Sequence, residues 1–85
     1  MYLSDVIATL LESGFLPEEE LQSYQKWVDV KRSGFSISFY FKLGHNGPEV
    51  DGSFSVHENL NNIIHHANSL ESAISLARVK FDEKR

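Results

Sequence analysis

Two histidines stand side by side at positions 65 and 66, in the run NNIIHHANSLESAI, with His57 and His45 upstream and no cysteine anywhere in the chain. Imidazoles are metal ligands and bases near neutral pH, so these four residues are the first place to look for chemistry. Spacing decides against a metal. On a helix, two ligands reach one ion when they are three or four residues apart, whereas adjacent residues diverge by about 100°. His57 precedes His65 by eight residues, roughly 12 Å at helical rise, and His45 falls in a loop. Without cysteine there is also no thiolate to complete a zinc site, to act as a nucleophile or to form a disulfide. The expectation is no metal, no cofactor, and histidines that border an amphipathic segment.

Catalysis finds no other foothold. No nucleophile-elbow pattern is present, Gly44 and Gly47 are spaced for a hairpin rather than a phosphate loop, and no carboxylate pair is tied to a strand end. Serines are numerous, but a nucleophilic serine needs an adjacent base. A non-catalytic protein is expected.

The elements that position these residues follow from periodicity. In an 85-residue chain only one core can form, so residues 1–85 are expected to make a single domain. Leu3, Val6, Ile7, Leu10 and Leu11 recur at helical spacing, with Ser4 as the cap and Gly14 as the stop. LPEEEL then looks like a second helix start, with Pro17 in the first turn and Glu18, Glu19 and Glu20 at its positive end. FSISFYFKL alternates strictly and predicts a strand; KWVDVKR precedes it and EVDGSFSV follows it. A turn at Ser33-Gly34 would pair Val28 with Phe39 and Val30 with Ile37, and a GHNG loop would pair Phe41 with Val50. Beyond it, Leu60, Ile63, Ala67, Leu70, Ile74, Ala77 and Phe81 form a stripe at spacings of three and four residues.

A single helix over 57–83 would be about 40 Å long, against a radius of gyration near 12 Å for a domain of this size. Asn68 with Glu71 forms a capping-box pair, so a break near 67–69 is favoured over a long helix that dimerises as a coiled coil. The predicted fold class is α+β: an N-terminal helix or helix-turn-helix, a three-stranded antiparallel meander, and a C-terminal helix or pair of helices on one sheet face.

This register places Trp27 across from Tyr40 on the face away from the core, with Asp51 beyond, and Asp29 and Lys31 in the next rows. Exposed aromatics in a polar rim have the composition of interface hot spots. Trp27, Tyr40, Asp29, Lys31 and Asp51 are therefore the candidate partner-binding residues, joined by Glu18, Glu19 and Glu20 as an acidic docking surface. The competing expectation packs the N-terminal helices on that face and buries Trp27.

Charge narrows the partner. Residues 1–25 carry five acids and no lysine or arginine, while the rest of the chain holds all eight basic residues against seven acids. A net charge of −4 disfavours nucleic acid, leaving single-strand stacking on the aromatics as a minor alternative. No apolar run is long enough for a membrane span, and the absence of cysteine fits a reducing, cytoplasmic compartment. The expected function is that of a small acidic protein-binding module, of the kind that inhibits a partner enzyme as an antitoxin or immunity protein does. The alternative is a self-associating accessory protein, a homodimer.

Overall fold

The computed structural model describes residues 1–21, 23–30 and 34–83, with the side chains of 20, 21 and 79–83 outside the description. The elements run α1 (Leu3–Glu12), β1 (Phe15–Leu21), β2 (Tyr24–Asp29), β3 (Phe35–Gly44), β4 (Gly47–Glu58), β5 (Ile63–Ala67) and α2 (Leu70–Glu83). The fold is α+β, with an N-terminal helix, a C-terminal helix and a five-stranded antiparallel sheet of order β1-β2-β3-β4-β5. Two of these strands replace expected helices.

The first is β1. Pro17, Glu18 and Glu19 were expected in a helical turn, but LPEEEL is extended and pairs with β2, with a register shift between Pro17 and Glu19. The physical reason lies in what surrounds it. Phe15 is fully buried, and an extended strand starting there carries the chain directly back along β2, with Pro17 and the bulge tolerated because this is a sheet edge.

The second is β5. After β4, the four residues Asn59–Asn62 turn the chain, with Asn62 at φ 54°, and Ile63–Ala67 pairs back on Phe54–Glu58. The stripe of residues 60–67 is thus not helical. A break falls at 67–69 as expected, but it separates a strand from a helix, and Ser69 rather than Asn68 caps α2 by accepting the Ser72 N–H at 3.1 Å.

α1 begins after Tyr2 rather than being capped by Ser4, and Gly14, at φ 90°, ends it in the left-handed region. α1 crosses one sheet face from β4, where Tyr2 bridges Glu49, to β1. α2 lies on β3, β4 and β5 of the same face. Between helices and sheet, Val6, Leu10, Leu70, Ala73 and Ala77 meet Phe15, Trp27, Ile37, Phe39, Phe54 and Val56. The two alanines let α2 approach the sheet closely enough for the Phe39 and Phe54 rings, 5.8 Å apart, to fill the space beneath. Arg78 ties the helices together by donating to the Ser13 carbonyl at the end of α1, 2.8 Å away.

Register is the main correction. Near the β3–β4 tip the expected pair Phe41–Val50 is present, with Lys42–Glu49 beside it, closed by His45-Asn46 with Gly47 at φ 120°. A bulge between Phe39 and Phe41 then moves Phe39 onto Phe54 and Ile37 onto Val56. Between β2 and β3, Trp27 pairs with Ile37 and Tyr24 with Tyr40, where Val30–Ile37 and Trp27–Tyr40 were expected. That displacement is an odd number of residues, and it turns every β2 side chain to the other face.

Candidate functional site

The consequence falls on the expected partner-binding residues. Trp27 is 3% exposed, under the helices, and its indole N–H donates to Gln25 Oε1 at 3.2 Å. Asp29 is buried on the same face. Neither offers area to a partner, and no Trp27–Tyr40 surface forms. Tyr40 is 65% exposed and packs instead at a tilt against Tyr24, with ring centroids 5.3 Å apart. It shares a shallow groove of about 320 Å³ with Asp51, Lys42 and Glu49. Lys31 and the Glu20 side chain lie outside the described residues. Glu18 and Glu19 are exposed on β1, and Glu18 pairs with Lys26 at 3.1 Å, an exposed ion pair worth about 0–1 kcal/mol.

The open sheet face carries most of the remaining polar chemistry. Register places Leu16, Val28, Ser36, His57 and Ile64 in one row across all five strands, and Lys26, Ser38, Ser55 and His66 in the next. Ser38 Oγ and His57 Nε2 lie 3.0 Å apart, a diagonal cross-strand hydrogen bond. Partial burial, then the nearby charges of Lys26 and His66, hold the His57 imidazole below its ordinary pKa and so neutral at pH 7. A serine facing a neutral histidine is half of a nucleophile–base pair. The rest of such a site is a carboxylate orienting the imidazole and donors for an oxyanion. Among the described residues no carboxylate is hydrogen-bonded to His57, and Ser38 is buried beneath its neighbours. The pair satisfies two polar groups, as does Ser36 Oγ donating to Asn59 Oδ1 at 3.3 Å.

The two histidines of the opening motif separate, because adjacent strand residues point to opposite faces. His66 looks onto the open face. His65 faces the helices and meets the buried Glu58 carboxylate at 2.6 Å. Among the described residues, no group of three or more His, Asp or Glu side chains is placed to hold a metal ion. A groove of about 430 Å³ between α1 and the β3–β4 tip is lined by Tyr2, Leu3, Ile7 and Pro48 among others, with no carboxylate, amine or imidazole. No helix among the described residues is long and apolar enough to cross a membrane.

What distinguishes this molecule is the contrast between its two sheet edges. β1 has a proline, a bulge and exposed glutamates, devices that keep an edge from pairing. β5 has none. Its sequence is IIHHA, and the stretch 59–70 contains no Asp, Glu, Lys or Arg. Ile63 and Ile64 are exposed, and Leu60 in the preceding turn is 88% exposed, its side chain resting beside Gly34. Among the described residues nothing pairs with the outer edge of β5. Sequence reasoning missed this edge because its apolar residues also fit a helical stripe; the available signal was the asparagine-rich turn between two runs containing Val or Ile.

The fold and its surfaces define an α+β protein with one guarded and one open sheet edge. Compared with known proteins, the chain matches no family model, no curated protein and no solved structure.

Proposed function

We propose that this protein acts without catalysis, by binding polypeptide through strand addition at the outer edge of β5. The observation that supports this reading is the asymmetry of the edges: Pro17, the bulge, Glu18 and Glu19 block β1, while Ile63–Ala67 has an outer edge that no strand among the described residues pairs with, flanked by exposed Leu60, Ile63 and Ile64. Main-chain hydrogen bonds supply affinity in this mode and the alternate side chains supply selectivity. The acids at 18 and 19 then act as edge guards, and the binding surface moves from the acidic end of the sheet to the neutral one.

The test is amide chemical-shift mapping by NMR against a panel of extended peptides rich in β-branched residues. Shifts centred on 63–67 and spreading into β4 are expected. Shifts centred on β1 or on the open face, or none at millimolar peptide, would overturn the reading.

A further inference from the structure

We infer that the strand added at β5 is β5 of a second copy of this chain, related by a two-fold axis, so that two sheets join into one of ten strands. This rests on the strand-addition reading above and commits it to one occupant.

Three observations lead there. An antiparallel pairing of a strand with itself has a two-fold axis through a residue paired with its own counterpart, and the register that uses all five residues is centred on His65. That register sets Ile64 beside His66 of the other copy on the open face, and Ile63 beside Ala67 on the helix face. Each exposed isoleucine gains a neighbour that is neither acidic nor a lysine or arginine. Second, the chain is acidic overall, with a net charge of −4, and two copies repel wherever charged surfaces meet. The stretch 59–70, without Asp, Glu, Lys or Arg in a chain where these make up 24%, is where they can approach. Third, β1 is guarded. A head-to-tail pairing of β5 with β1 of the next copy, which would propagate into a fibre, would have to pair with Pro17, the bulge and Glu18, so assembly closes at two. Five paired residues and three apolar side chains make a small interface, so the association is expected to be reversible and concentration-dependent.

The experiment is native mass by light scattering from low micromolar to several hundred micromolar protein, with amide exchange measured at both ends of the series. Mass rising from one chain to two, with slower exchange at 63–67 in the concentrated sample, is the expected result. Ile64→Lys, which places a charge beside the axis, should hold the mass at one chain while Leu43→Lys, at the hairpin tip, should not. Melting curves check that both variants fold. If Ile64→Lys does not fold, the concentration dependence of exchange in the unmodified chain decides alone. Constant monomer mass with rapid exchange on the outer side of β5 would overturn the dimer and leave the edge open to another chain. Constant monomer mass with those amides protected at every concentration would overturn both readings. A dimer with unprotected β5 amides would place self-association elsewhere and overturn the proposal.

Discussion

Trp27 shows how little separates two opposite descriptions of one residue. QKWVDV alternates in both senses: Val28 and Val30 make a buried pair by pattern, while Gln25, Trp27 and Asp29 put two polar groups inward. Pattern counting favours the valines. The structure chooses the tryptophan, since its ring buries far more area than either valine and its N–H finds Gln25. Val30 is left exposed and Val28 half-covered. The native protein is expected to emit with a blue-shifted maximum that moves red on unfolding, and Trp27→Ala should cost about 3–5 kcal/mol in denaturant titration. Native emission at the wavelength of free indole would refute this placement. His57 carries a different expectation. Its folded pKa lies below the ordinary 6.5, so the unfolded chain binds more protons. This contribution to stability is complete above pH 6.5 and is lost as pH falls through the folded value. Midpoints of urea unfolding should therefore drop on acidification from about pH 7. His57→Gln should flatten that part of the curve, and an unchanged slope would remove His57 from its cause.

At the scale of elements, α1, β3 and the tip of the β3–β4 hairpin were legible because each has one strong period and one clear punctuation mark. β1 and β5 were not, for the same physical reason: each is a short edge strand whose local preferences point elsewhere. Pro17 followed by three glutamates is a good helix start in isolation, and IIHHA continues a helical stripe. Tertiary pairing overrides both. Edge position explains why such sequences are tolerated, since only one side of the backbone is committed to a ladder. The β4–β5 turn depends on Asn62, which holds φ 54° where branched side chains are strained. Asn62→Gly should be nearly neutral in thermal unfolding, whereas Asn62→Val should destabilise by about 1–2 kcal/mol. Equal melting temperatures for the two would show that the turn does not rely on this conformation.

For the molecule as a whole, the principal extents are 44 × 21 × 21 Å. Leu43, 83% exposed, marks the hairpin end beyond the Phe39–Phe41 bulge, away from the half of the sheet that α2 covers and β5 extends. Residues 42, 43, 45, 46 and 48 there are exposed, and solvent-exposed backbone hydrogen bonds open readily. Amides at 42–49 are expected to exchange with solvent well before those at 35–39 and 54–58, and uniform protection along β3 would contradict this. The strand order is also the chain order. Each of the five strands therefore pairs with its neighbour in sequence, across connections a few residues long, and none waits for a distant segment before it can add to the sheet. On a ribosome, where residues appear one at a time, that arrangement lets pairing keep pace with synthesis. β5 arrives last of the five strands, and until it does the backbone of β4 faces outward in its place.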